Sequence, residues 1–103
     1  MRFLVKVTLN TETTNDLVRA GEMGATIHQI LGDMETEAVY FGEEVGERTA
    51  YIFVDLDDAS QIPEIAEPWF LAFDAQVEFH PVMTPEDLSR ASGSIEEAAK
   101  NFG

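Results

Sequence analysis

Hydrophobic residues in this chain repeat every second position, then every third or fourth, and the two periods follow the order strand, helix, strand, strand, helix, strand. No other feature restricts the fold as much. A period of two puts apolar side chains on one face of a strand, and a period near 3.6 lines them along one side of a helix. Residues 2 to 9 open the series: Phe3, Val5, Val7 and Leu9 take one face, and Arg2, Leu4, Lys6 and Thr8 take the other. "NTETTND" then supplies several N-cap candidates. From Leu17 the period changes, and Ala20, Met23, Ile27, Ile30 or Leu31, and Met34 mark an amphipathic helix to about residue 32. Gly21 and Gly24 each weaken such a helix by roughly 1 kcal/mol relative to alanine. With Ala25, His28 and Gly32 they form a stripe of mostly small residues that admits another element closely.

A second strand is expected at about 36 to 42, and the glycines of "GEEVGER" read as a hairpin loop. The third strand is "RTAYIFVDL", with Ala50, Ile52, Val54 and Leu56 on one face and Thr49, Tyr51, Phe53 and Asp55 on the other. Asp57, Asp58 and Ser60 are cap candidates for a helix starting near Ser60, where Pro63 falls in the first turn and needs no amide donor. Pro68 is expected to kink or interrupt that helix, although Ile62, Ala66, Trp69 and Phe73 keep helical spacing through it. A fourth strand over 75 to 82 puts Val77 and Phe79 on one side and Gln76, Glu78, His80 and Val82 on the other. After it, Thr84 with Pro85 and Asp87 reads as a helix start, and Ser94 with Glu97 as a capping box. Leu88, Ala91, Ile95, Ala98 and Phe102 make an apolar stripe broken only by "SGS" at 92 to 94. The chain therefore divides into a folded unit over 1–83 and a C-terminal helical extension over 84–103 that needs a surface to bury its stripe.

Composition narrows the function. With 103 residues, 45% hydrophobic, the chain has room for one core and little more. Twenty acids against six bases give a net charge of −14, which repels phosphate backbones and anionic lipid and so argues against nucleic-acid and membrane partners. The absence of cysteine removes disulfides, thiolate metal sites and cysteine nucleophiles. No apolar run approaches the roughly 20 residues that span a bilayer, and the opening residues alternate like a strand, so the cytoplasm is the default compartment. Two histidines 52 positions apart form no metal-ligand pair, and no phosphate-binding loop or nucleophile elbow occurs, so neither a metal nor a cofactor is expected.

The element order is the ferredoxin-like one, an α+β fold with a four-stranded antiparallel sheet and helices on one face only. The other face carries Leu4, Thr8, Tyr51, Phe53 and Val82 among polar groups, too apolar for full exposure, and two such sheets packed face to face as a homodimer would cover it. "MRFLVKVTL" resembles the first strand of muconolactone isomerases, with Phe3, Val5, Lys6 and Thr8 at matching places. "YIFVDLDDASQIPEIAEPWF" followed by "FDAQVEFHPV" is similar to that family's third strand, second helix and fourth strand, and to a group of short bacterial proteins of the same type. The resemblance implies a dimeric α+β barrel. It also implies a cofactor-independent isomerase or monooxygenase-like enzyme acting on a small aromatic or polyketide-like ligand. Leu4 stands where those isomerases have a polar group and no motif places a catalytic acid or base, so the isomerase reaction itself does not carry over.

In the strand order 4-1-3-2, Lys6 lies between Glu78 and His80 on one side and Tyr51 and Phe53 on the other. The candidate catalytic set is His80 for proton transfer, Glu78 as its charge partner, Lys6 to stabilise an anion or enolate and Tyr51 as an orienting donor. The competing reading, favoured by pattern alone, makes Lys6 and Glu78 a cross-strand ion pair and His80 an ordinary strand residue. A non-catalytic ligand-binding or assembly module is thus the alternative to an enzyme, and an enclosed cavity at these four residues discriminates between them.

Overall fold

Alternating residues build four strands and helical spacing builds five helices in the computed structural model, which describes residues 1–103. In chain order they are β1 (Arg2–Thr8), α1 (Thr11–Arg19), α2 (Met23–Gly32), β2 (Ala38–Glu44), β3 (Glu47–Asp55), α3 (Gln61–Phe73), β4 (Gln76–Pro81), α4 (Pro85–Arg90) and α5 (Ser92–Phe102). The sheet runs β2-β3-β1-β4 with every neighbouring pair antiparallel. One face is the core: Val5 and Val7 of β1 and Ala50, Ile52 and Val54 of β3 are fully buried beneath Trp69 and Phe73 of α3. Trp69 and Phe73 stack at a centroid distance of 5.8 Å, and Phe3 meets Phe79 edge-on at 6.0 Å. The aromatic residues that α3 and β4 direct to this face are therefore structural, as helical spacing predicts for Trp69 and Phe73.

The barrel expected from the resemblance is absent. β2 and β4 both end as free edges of an open four-stranded sheet, half of the roughly eight strands that a side-chain-filled barrel closes with. The α+β class and the antiparallel sheet stand; closure does not, because element order fixes which strands neighbour each other and says nothing of how a sheet ends.

Three helical expectations are also corrected. The first helix is two, broken where Gly21 takes φ +71° and Glu22 donates its amide back to the Leu17 carbonyl at 2.8 Å. Gly21 terminates α1 in the left-handed region that favours glycine. Gly24, by contrast, lies inside α2 with open space where a Cβ would stand. Opposite outcomes follow in urea unfolding: Gly21→Ala should destabilise by about 1–2 kcal/mol and Gly24→Ala should stabilise by about 0.5–1 kcal/mol. Shifts of the same sign would contradict these assignments.

Pro68 does not interrupt α3, which continues to Phe73 because Ala66, Trp69 and Phe73 are all buried on the sheet. Asp74 then closes the helix at φ 48°, and its carboxylate accepts a 2.6 Å hydrogen bond from the Thr13 hydroxyl, tying α3 to α1. Finally, "SGS" lies within α5 and the real break falls at Ala91, so Ser94 and Glu97 make no capping box. The capping box expected at Thr84 and Asp87 is formed.

α4 and α5 bury no residue. A compact chain of this length has a radius of gyration near 13 Å; the observed 17.3 Å, with extents of 59 × 29 × 19 Å, shows the tail projecting from the sheet unit.

Candidate functional site

Strand register assembles the candidate residues on the sheet face away from α1–α3. Two rows of directly paired positions define it: Ala38, Phe53, Leu4 and His80 in one, and Tyr40, Tyr51, Lys6 and Glu78 in the next. Lys6, Glu78, His80 and Tyr51 are thus brought together as their spacing predicts. Leu4, Tyr51 and Phe53 are half-buried, while Tyr40 at 64% exposure stands largely in solvent. The Tyr51 ring leans over Gly42 of β2, where a Cβ would meet it at 3.5 Å.

Lys6 is at the centre of this face with its side chain only 23% exposed. Its Nζ lies 2.9 Å from Glu44 Oε2 and 3.1 Å from Glu78 Oε2. His80 Nε2 is 3.9 Å from Glu78 Oε1, beyond hydrogen-bond length. The hydrogen bond from Lys6 to Glu44, followed by that to Glu78, raises the ammonium above its ordinary value of 10.5, against a smaller opposing effect of desolvation. Such a lysine is a fixed positive charge, already satisfied by two carboxylates.

Glu44 is the residue that sequence reasoning missed, because "GEEVGER" reads as a hairpin loop. β2 extends to Glu44, and the turn is only Val45 and Gly46, both with positive φ. Glu44 therefore reaches across β3 to β1. The small residues between make room: Thr49, on the same face, is itself buried and donates its hydroxyl to the Glu47 carbonyl. Strand alternation from Tyr40 through Gly42 to Glu44 was the available signal. His28 is exposed on α2, away from this face.

Charges at the margins of the sheet are paired by other groups. Arg2 Nε donates to both carboxylate oxygens of Glu37, at 3.0 and 3.2 Å. The amino-terminal ammonium beside Asp55, at 2.7 Å, holds that carboxyl below the usual range. The Thr84 amide and hydroxyl do the same for Asp87, which also pairs with Arg90.

No enclosed cavity opens at the candidate set. The largest cleft, about 770 Å³, lies between α2, α3 and the segments that follow α2 and β3, with Gln29, Asp33 and Gln61 in its lining, and a second of about 330 Å³ lies between Met23, Ile27 and Phe41. Neither these nor two further clefts, of about 200 and 480 Å³, include Lys6, Tyr51, Glu78 or His80. No group of three or more His, Asp or Glu side chains is arranged to hold a metal ion, and no helix is long and apolar enough to cross a membrane. The expected small-molecule barrel enzyme of isomerase or monooxygenase type is accordingly overturned: the sheet is open, and the ion-paired candidate residues enclose no cavity.

Fold and face together define an α+β domain with an open four-stranded sheet and no cleft at Lys6, Tyr51, Glu78 or His80. The chain belongs to the family described as Domain of unknown function (DUF3303), whose model matches residues 1–95. That membership replaces the resemblance to muconolactone isomerases. No curated protein matches the chain.

Proposed function

We propose that this domain is a non-catalytic assembly module that forms a homodimer through the outer face of its sheet. The observation that carries this reading is the composition of that face: Leu4, Tyr51 and Phe53 are half-buried, Tyr40 is exposed, and the central charge of Lys6 is already satisfied by Glu44 and Glu78. Apolar surface of this kind is characteristic of an interface, and an ion pair completed within one chain reduces the desolvation cost of covering it. Glu78 and His80, on the β4 side, then form a polar rim, and Tyr51 belongs to the apolar contact. The sheets remain open at both edges. The folded unit 1–83 supplies the face, and the cytoplasm, the default for a cysteine-free chain, is the compartment proposed.

Light scattering on the chain at micromolar concentration tests the reading. The expected mass is twice the 11.4 kDa of one protomer, and it should hold to lower protein concentration in moderate salt than in dilute buffer, because two copies of charge −14 repel one another. A monomer mass under both conditions refutes the assembly reading.

A further inference from the structure

Resting on that reading, we infer that the cover for each sheet face is α5 of the other copy, exchanged reciprocally about a two-fold axis. α5 is an 11-residue helix that buries nothing in its own protomer: Ile95 is 56% and Phe102 91% exposed. Isolated helices shorter than about 12–15 residues are marginal in water, so this one requires a surface. Its apolar side is Ile95, Ala98, Ala99 and Phe102, whereas Glu96, Glu97 and Lys100 project from the other side. Two large anchors among alanines let the helix lie close to a sheet, and the absence of charge along that side places no further carboxylate beside Glu44 and Glu78.

The tail does not cover its own face. Neither α4 nor α5 buries a residue, and the chain extends to 59 Å. The tail starts at the capping box of Thr84 and Asp87, directly after the edge strand β4. A helix held off its own sheet in this way is free to meet a second molecule.

Dimensions agree. An 11-residue helix is about 16 Å long, and the face is about 14 Å across four strands and about 23 Å along the seven residues of β1. The apolar positions of that face, Ala38, Phe53, Leu4, Tyr40 and Tyr51, cluster on β2, β3 and β1, which gives one helix a defined track. One buried phenylalanine covers about 150–250 Å². Phe102 and Ile95 from each tail, with the sheet surface each covers and the two-fold doubling, bring the interface toward the roughly 1,200–2,000 Å² of stable complexes.

The test uses full-length chains. Ile95→Asp with Phe102→Asp alters residues that support no core, so emission from buried Trp69 should not change, while the light-scattering mass should fall by half. Independently, a chain carrying Ala38→Cys is mixed with an isotope-labelled chain carrying Ala99→Cys and treated with a short bis-maleimide; no native cysteine competes. Mixed 38–99 adducts are expected to dominate. A dimeric wild type whose double-aspartate variant stays dimeric, or adducts restricted to 38–38 and 99–99, overturns the exchanged tail and leaves the assembly reading intact. A monomeric wild type overturns both.

Discussion

Trp69→Ala should be the most damaging single substitution in this chain, lowering stability by about 3–5 kcal/mol. Trp69 is fully buried on α3 and stacks with Phe73 above the β1 and β3 residues of the core. Only 15 of 103 residues are buried, so no other part of the molecule can compensate for a cavity at its centre. A small domain has a total of about 5–15 kcal/mol to lose, and each kcal/mol moves the midpoint by about 4–8 °C. The thermal transition should therefore fall by at least about 12 °C, followed by far-ultraviolet circular dichroism. Trp69→Phe separates volume from polarity. The indole N–H has no hydrogen-bond partner, and a buried unpaired donor costs about 1–3 kcal/mol. Phenylalanine removes that donor while keeping most of the aromatic volume, so its loss should be much smaller than alanine's. Equal losses for the two variants would show that the ring does not fill the core as described.

The strands were legible because alternation is dictated by the pleat. Phe3, Val5 and Val7 could face the core only if Leu4 and Lys6 faced away, and antiparallel register then fixed Lys6 opposite Tyr51 and Glu78. Three of the four candidate site residues follow from that arithmetic, and His80 from its spacing to Glu78. The helices were less legible, since their limits depend on energies that propensity does not contain. Pro68 sacrifices an amide donor, but burial of Trp69 and Phe73 on either side of one further turn outweighs it. Gly21 looked like a weak point inside a helix and is instead the residue that ends one.

Glu44 escaped notice for a different reason. A turn of two residues rather than a longer loop extends β2 to position 44, and Val45 adopts φ 53° to make it, a conformation that β-branched residues rarely take. The barrel failed at the level of the whole sheet. Leu4, Tyr51 and Phe53 make their face more apolar than an exposed sheet needs, yet the same residues suit a second sheet, a ligand or a helix. The stripe on α5 likewise specifies an apolar surface without saying where it is.

Lys6→Glu should produce the second large effect, and through charge rather than volume. Lys6 is the only cation between Glu44 and Glu78, each of which lies within 3.1 Å of its ammonium. Reversing it brings three carboxylates together in a chain that already carries −14, on a face where like charges on paired strand positions are destabilising. Lys6→Met removes the attraction without adding a third acid and should be milder, so the expected order of thermal midpoints is wild type, Lys6→Met, Lys6→Glu. Added salt should recover much of the Glu variant's loss, because the repulsion is close to solvent and screened; it should do little for Trp69→Ala, whose defect is a cavity. The pH dependence has a definite sign. Since the folded state holds the Lys6 proton more tightly than the ordinary value of 10.5, its contribution is complete below that pH and is lost as pH rises through the higher folded value. The gap between wild type and Lys6→Met should accordingly be constant through neutrality and shrink above about pH 10.5. Other groups that titrate there are common to both proteins and cancel in the difference. A gap that persists unchanged to strongly alkaline pH would mean that the lysine's charge is not what separates the two proteins, and that the two carboxylates are not what holds it there.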